Sequence, residues 1–135
     1  MIPRKIEQEL QRFRDSGEKK ALLITGARQV GKTFIIREFG KQFPSFVEIN
    51  FYENKSAQSL FENAKNSEDL LLRISAVANA PLIPGKTLIF LDEVQKCKDI
   101  VTAIKFLVDE GSYRYILSGS LQGLYKARCS FKCNG

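Results

Sequence analysis

Histidine is absent from the sequence and cysteine is scarce, with 3 residues in 135. Structural zinc sites need a full tetrahedral set of cysteine or histidine ligands, so three thiols without an imidazole argue against a zinc site within this chain. The odd number of cysteines also argues against the disulfide framework of a small secreted protein. Cys97 stands alone, whereas Cys129 and Cys133 lie close together. We therefore expect reduced thiols.

Long apolar runs are missing as well. No segment approaches the roughly 20 residues that a membrane-spanning helix needs. The N-terminal stretch MIPRKIEQELQRF carries charges in its first turns and lacks the apolar centre of a signal peptide. A chain of 135 residues suits one domain with one hydrophobic core. We expect a cytoplasmic protein with no membrane partner.

The charge balance is positive, with 21 basic and 15 acidic residues and a formal net charge of +6. This excess suits an anionic ligand and is compatible with a nucleic-acid partner. The basic residues are nevertheless spread along the chain, as at Arg4, Lys5, Lys19, Lys20, Lys41, Lys65 and Lys126. Scattered basic residues are more typical of a solvated surface, so composition alone does not establish nucleic-acid binding.

Short apolar segments alternate with amphipathic ones along the chain. The apolar segments predict strands at Ala21–Thr25, Phe46–Phe51, Thr87–Leu91 and Tyr113–Leu117. Helical spacing predicts helices over Arg4–Arg14, over Lys32–Lys41, around Leu60, Phe61 and Ala64, around Leu70, Leu71, Ile74 and Val77, and from Ile100 to Gly111. The alternation of strands and helices predicts an α/β fold with a parallel sheet and helices on both faces.

The most specific motif lies between the first predicted strand and the helix that follows it. Its residues are Gly26, Ala27, Arg28, Gln29, Val30, Gly31, Lys32 and Thr33. They match the phosphate-loop (Walker A) pattern, in the strand-to-helix context that the pattern requires. The glycines let the backbone turn its N–H groups towards phosphates, and the helix adds its positive end. Lys32 would reach the β and γ phosphates, and Thr33 would offer a hydroxyl to Mg²⁺.

This motif predicts binding of ATP, or a close relative, together with Mg²⁺. One of its members has two open interpretations, because Arg28 could contact phosphate or lie on the exposed side of the loop.

A second motif is the apolar run Leu88–Leu91 followed by Asp92 and Glu93. A carboxylate at the end of a buried strand needs a partner, and Mg²⁺ would supply one to Asp92. Glu93 would then orient or deprotonate the attacking water. A solvated strand end is the alternative interpretation, and the nearby phosphate loop favours the metal site.

A third candidate is Ser118, with Ser120 behind it, at the end of the last predicted strand. Its hydroxyl could bind the γ phosphate or the attacking water, or it could belong to an ordinary turn. Ligands of parallel α/β sheets bind beyond the carboxyl ends of the strands. All three motifs fall at such ends, so we expect one site.

The segments TGARQVGKT, LIFLDEVQK and YILSGS resemble those of the bacterial and archaeal AAA-like P-loop ATPases that carry an additional C-terminal domain. The resemblance covers roughly Leu10 to Leu124. It implies a three-layer P-loop NTPase fold with strand order 5-1-4-3-2. It also implies an ATPase (NTP hydrolase) core in which Lys32, Thr33, Asp92 and Glu93 take the roles given above. Ser118 would take the polar sensor position.

Proteins of that family continue through a fifth strand, a helical lid and an arginine-finger region, whereas this sequence ends at Gly135. We therefore expect an incomplete ATPase core over residues 1–124, with the fifth strand missing or short, and a tail over residues 125–135. Hydrolysis by this chain alone should be near background. Without a fifth strand, the edge of Ala21–Thr25 would invite pairing. The alternating segment Cys129–Cys133 could cover it, or the chain could self-associate there.

Other classes of function stay open at this point. A nucleotide-dependent binding module without turnover would share the phosphate loop. A small P-loop kinase would need an arginine-rich lid, and none is evident in the sequence. A GTPase would carry an Asn-Lys-x-Asp segment, but Asn54-Lys55 is followed by Ser56-Ala57.

Overall fold

The computed structural model of the chain describes residues 4–17, 21–25 and 31–119. The helices are α1 (Arg4–Asp15), α2 (Lys32–Gly40), α3 (Ser67–Val77) and α4 (Ile100–Glu110). The strands are β1 (Ala21–Thr25), β2 (Ser45–Asn50), β3 (Thr87–Asp92) and β4 (Arg114–Gly119). Two short 3-10 helices lie at Lys55–Ser59 and Val94–Lys96. The bounds of the four strands and of α1, α2 and α4 agree with the sequence-based predictions to within two residues.

The four strands form one parallel sheet in the order β1-β4-β3-β2. The prediction of an α/β fold with a parallel sheet is confirmed, and the order matches 1-4-3-2 of the expected 5-1-4-3-2. No fifth strand occurs in the described part of the chain, where β1 has a strand neighbour on one side only. Residues 125–135 lie outside the described ranges, so the pairing of Cys129–Cys133 with this edge stays a prediction.

The sheet separates two hydrophobic clusters, and β3 is buried at each of its positions. Because successive side chains of a strand point to opposite faces, Ile89 and Leu91 contribute to one cluster and Leu88 and Phe90 to the other. Helices α1 and α2 cover the Phe90 face, while α3 and α4 cover the Leu91 face. The structure thus has the three layers that the sequence predicts.

Helix α1 is attached to the sheet through Arg114, the first residue of β4. The guanidinium donates to the carbonyl oxygens of Phe13 and Arg14 at 2.8 Å and of Ser16 at 3.0 Å. It also lies 5.5 Å from the centroid of the Phe13 ring. The last carbonyls of a helix lack partners within the helix, so Arg114 satisfies groups that would otherwise need water.

The predicted helix around Leu60, Phe61 and Ala64 is wrong. The chain instead forms the 3-10 helix Lys55–Ser59 and a series of turns. Arg73 on α3 explains the difference, because its guanidinium donates to the carbonyl oxygens of Leu60 and Glu62 at 3.0 and 2.7 Å. Those carbonyls would accept backbone hydrogen bonds in a helix. Phe61 is still buried, so the apolar residues at helical spacing belong to the core although the segment is not a helix.

None of the helices in the described ranges combines the length and the apolar character that crossing a bilayer would require.

Candidate functional site

The carboxyl ends of three neighbouring strands bring together three polar side chains. In the sheet register Asp92 at the end of β3 pairs with Asn50 on β2 and with Ser118 on β4. Ser118 is fully buried, and the exposed fraction of Asp92 is 5%. Two of the predicted site residues, Asp92 and Ser118, are therefore in direct contact although they are far apart in the sequence.

The Asp92 carboxylate receives hydrogen bonds on both oxygens. The Ser118 hydroxyl donates to Oδ1 at 2.7 Å, and the Asn50 amide is 3.4 Å from Oδ2. Burial raises the pKa of Asp92 above its ordinary value, while the Ser118 hydrogen bond opposes that shift. The negative charge of Glu93 adds to the increase in this pKa, and the positive charge of Lys32 counteracts it. A buried carboxylate in these surroundings favours a cation as partner.

Lys32 is the first residue of α2 and is nearly as buried as Asp92, with 7% of its surface exposed. Buried lysines are uncommon unless they are paired. Within the described part of the chain, no carboxylate forms an ion pair with Lys32. The positive charge of Lys32, at the start of α2, counteracts the rise in the pKa of Asp92. An anionic ligand held there would compensate the buried charge.

The start of α2 has the backbone geometry of an anion-binding helix end. Gly31, its N-cap residue, has φ 103°, a left-handed conformation that favours glycine. No side chain caps this end of the helix, and the first helical hydrogen bond runs from the Ile35 N–H to the Gly31 carbonyl at 2.8 Å. The N–H groups of the first turn therefore have no carbonyl acceptor within the helix, which is the arrangement that binds anions at helix N-termini. Thr33 lies in this turn and is half-buried.

Glu93 follows Asp92 where the chain leaves the sheet. Its backbone is left-handed, with φ 58° and ψ 47°, which is uncommon for a residue other than glycine. The side chain is half-buried, and one carboxylate oxygen accepts a hydrogen bond from the Gln95 amide at 2.7 Å. Conformations of this kind cost free energy and occur often at functional sites.

Several predicted site residues lie outside the described ranges. These are the loop residues Gly26, Ala27, Arg28, Gln29 and Val30, together with Ser120. Their predicted roles in phosphate binding and at the strand end stay predictions.

Sequence reasoning missed Asn50 as a member of the site. Besides contacting Asp92, its side-chain oxygen accepts hydrogen bonds from the N–H groups of Tyr52 and Glu53 at 2.9 and 3.0 Å. Asn50 thus connects the turn after β2 to the buried carboxylate. Its position near the end of a predicted strand, beside β3 in the implied strand order, was a signal that could have identified it.

The residue types at this site match a magnesium ion that is bound together with a nucleotide. Such an ion usually takes only one or two protein oxygens, and phosphates and water complete its coordination. The Asp92 carboxylate and the Thr33 hydroxyl are oxygens of the suitable kind. Lys32 and the first turn of α2 could hold the phosphates.

A parallel sheet of this order, with a phosphate-loop sequence between β1 and α2, defines a P-loop nucleotide-binding module of the ATPase type. The chain belongs to the AAA domain family, which it matches over residues 18–135.

Two structures of RuvB from Thermotoga maritima are similar to this chain. A single-substitution variant shows 14% identity with a TM-score of 0.44, and a Holliday junction branch migration motor shows 17% identity with a TM-score of 0.43. In both cases the similarity covers 87% of this chain and 37% of the RuvB chain. This chain therefore spans little more than a third of the length of either RuvB chain. No curated protein matches the sequence.

Proposed function

We propose that this domain binds ATP with Mg²⁺ and that ATP hydrolysis is the chemistry of the protein. The observation that supports this most strongly is the burial of Lys32 at the start of α2 and of Asp92 at the end of β3. A buried cation and a buried anion that do not pair directly suit a ligand with both signs of charge. In a magnesium–nucleotide complex, the phosphate oxygens would compensate the charge of Lys32 and the metal ion would compensate the charge of Asp92.

The phosphates would be bound by Lys32, by the N–H groups at the start of α2, and by the loop Gly26–Gly31. Lysine acts as a flexible point charge on the β and γ phosphates. The loop N–H groups would supply directional donors, and the positive end of α2 would add to their effect.

Asp92 and Thr33 would hold Mg²⁺, Asp92 through water. The ion would supply neutralisation of phosphate charge and would polarise the bond that breaks. Ser118 and Asn50 keep the Asp92 carboxylate in one orientation, since each donates to a different oxygen. The Ser118 hydroxyl already donates its hydrogen bond to Asp92. To donate to the γ phosphate instead, it would have to break that bond.

Glu93 would accept a proton from the attacking water. It lies next to the metal-binding carboxylate but outside the strand, and its backbone turns there. The Glu93 carboxylate can therefore be oriented differently from that of Asp92, and a base needs such an orientation to contact the water rather than the metal. The alternative function is nucleotide-dependent binding without turnover, in which Glu93 would have no such role.

The first test measures stabilisation of the whole chain by Mg·ATP. A ligand at about 100 times its dissociation constant stabilises the folded state by about 2.7 kcal/mol, so the melting temperature should rise. Lys32→Ala should remove most of that rise. Lys86→Ala is the matched control, because Lys86 is exposed and precedes β3 at the opposite end of the sheet. If Lys32→Ala shows the same rise as the unmodified chain, Lys32 does not bind the phosphates.

Glu93→Gln separates hydrolysis from binding. Glutamine keeps the shape of the side chain but cannot accept the proton, so Mg·ATP should still stabilise the variant while any hydrolysis falls at least tenfold. Phosphate release at saturating ATP, compared with the unmodified chain, gives the rate. Hydrolysis at the same rate in both proteins would exclude Glu93 as the base.

A further inference from the structure

Gln95 lies two residues beyond Glu93 and contacts its carboxylate directly. The amide nitrogen Nε2 of Gln95 is 2.7 Å from Oε1 of Glu93. In a continued β-strand, two residues at this separation would lie about 7 Å apart along the strand. The left-handed backbone of Glu93 and the 3-10 helix Val94–Lys96 turn the chain instead, which brings the two side chains together.

This turn is held firmly, so the position of Gln95 is well defined. Val94 is fully buried and Cys97 is almost fully buried, which anchors both sides of Gln95 in the core. The N–H groups of Lys96 and Cys97 donate to the carbonyl oxygens of Glu93 and Val94 at 3.1 and 2.9 Å. Gln95 itself is half-buried. Its backbone is thereby placed by the fold rather than by its own side-chain contact.

We propose that Gln95 is a positioning residue for Glu93. This inference rests on the proposed function, because it assigns Gln95 to the same hydrolytic site. A glutamate side chain has several rotatable bonds, and a base acts efficiently only when its oxygen lies within hydrogen-bonding distance of the water. The Gln95 amide restricts the plane of the Glu93 carboxylate. As a neutral donor it does so without forming an ion pair.

The proposal predicts an effect on the transition state and not on nucleotide binding. Mg·ADP with aluminium fluoride imitates the phosphoryl group during attack by water, whereas Mg·ADP alone imitates the product. Binding of both can be measured by titration calorimetry on the full chain, so the test does not depend on turnover. Aluminium fluoride should tighten the binding of ADP to the unmodified chain.

Three substitutions at Gln95 separate its hydrogen bond from its shape. Gln95→Met keeps the length but removes the donor, and Gln95→Glu replaces the donor by a charge that repels Glu93. Both should bind Mg·ADP within about twofold of the unmodified chain but bind the aluminium fluoride complex roughly tenfold more weakly. Gln95→Lys restores a donor of similar reach but forms an ion pair with Glu93, so it should recover only part of that affinity. The melting temperatures of all three should stay close to that of the unmodified chain.

The outcomes distinguish this inference from the proposed function. If Gln95→Met binds the aluminium fluoride complex as tightly as the unmodified chain while Glu93→Gln does not, Gln95 has no positioning role and the hydrolytic site stands. Equal weakening of Mg·ADP and of the complex would also overturn the role, because Gln95 would then act on binding. If aluminium fluoride does not tighten ADP binding to the unmodified chain, this chain alone does not stabilise the transition state, and the role of Gln95 in it fails while Mg·ATP binding is judged separately by the melting temperature.

Discussion

Asp92 and Ser118 illustrate how single residues of this domain depend on register. Their contact exists because β3 and β4 are parallel and pair Asp92 with Ser118. A shift of one residue would move each side chain to the opposite face of the sheet. The buried carboxylate would then lose the hydroxyl that offsets part of its desolvation. The site is thus a consequence of strand pairing as much as of residue type.

The left-handed backbone of Glu93 leads to a prediction about stability. A left-handed conformation costs roughly 1–2 kcal/mol for residues with a Cβ atom and nothing comparable for glycine. Glu93→Gly should therefore be more stable than Glu93→Ala by roughly 1 kcal/mol, even though both variants lose the same side chain. Chemical denaturation of the two variants measures this difference directly.

The control for that comparison is Glu68, an exposed residue in the first turn of α3 with ordinary helical geometry. There alanine should be the more stable replacement, by up to about 1 kcal/mol, because glycine is a poor helix former. If alanine is preferred at Glu93 as well, the backbone at Glu93 is not left-handed in solution.

Among the elements, α2 has a different task at each end. Its first turn lies at the candidate nucleotide site, whereas its C-terminal half contacts β2 through an ion pair and close packing. Arg37 forms a two-point contact with Glu48, with both nitrogen–oxygen distances at 2.8 Å. Gly40 then lies directly against the ring of Phe46, and that ring stacks on Phe90 with centroids 6.4 Å apart. These contacts fix the direction in which the start of α2 points.

Gly40→Ala should destabilise the domain. A Cβ atom at Gly40 would lie 2.7 and 2.8 Å from Cε1 and Cγ of Phe46, well inside normal contact distance. Overpacking of this kind costs roughly 1–3 kcal/mol, which outweighs the gain of up to about 1 kcal/mol that alanine brings in a helix. Gly17→Ala is the matched control, since no atom lies within 4 Å of its added Cβ. Equal urea midpoints for the two variants would contradict the close approach of α2 to β2.

On the scale of the whole molecule, the hydrophobic cluster on the α3 and α4 side also contains ionisable groups. Burial, together with the charge of Asp99, raises the pKa of the Cys97 thiol from 9.0 to about 12. Burial likewise raises the pKa of Tyr115, whose hydroxyl is buried and has no hydrogen-bond partner within the described part of the chain. Neither group can ionise in the folded protein without exposing the core.

The domain should therefore lose stability in alkali. Below about pH 9 the Cys97 thiol is protonated in both the folded and the unfolded state, so it contributes no pH dependence. Above that value only the unfolded state loses its proton, because the folded pKa is about 12. The free energy of unfolding should fall by about 1.4 kcal/mol between about pH 8 and about pH 10 on this account.

Urea denaturation at the two pH values measures this change, and Cys97→Ala is the comparison. The variant is expected to be less stable at both pH values but to show a smaller decrease between them. An identical decrease in both proteins would mean that Cys97 ionises as easily in the folded state as in the unfolded state.

The sequence by itself determined the class of fold and predicted a phosphate site at the carboxyl end of the sheet. Strand and helix periodicities differ, so the alternation of β1, α2, β2 and the later elements could be derived from local spacing alone. The motif Gly26–Thr33 could be recognised from sequence because its pattern reflects a local strand-to-helix turn. Gly31 and Lys32 lie at the start of α2, as the motif predicts. The acidic pair lies at the end of a buried strand, as predicted, with Asp92 as the last residue of β3.

Only the tertiary structure decided how distant residues combine. Helical spacing around Leu60 and Phe61 failed because Arg73, from another element, takes the carbonyl groups that a helix would use. The contact of Asn50 with Asp92 depends on strand order, and the hydrogen bond of Gln95 depends on a left-handed residue that no local propensity predicts for glutamate. Local periodicity cannot contain such information, because each of these contacts is stabilised by groups far away in the sequence or by a strained backbone that only the packed core maintains.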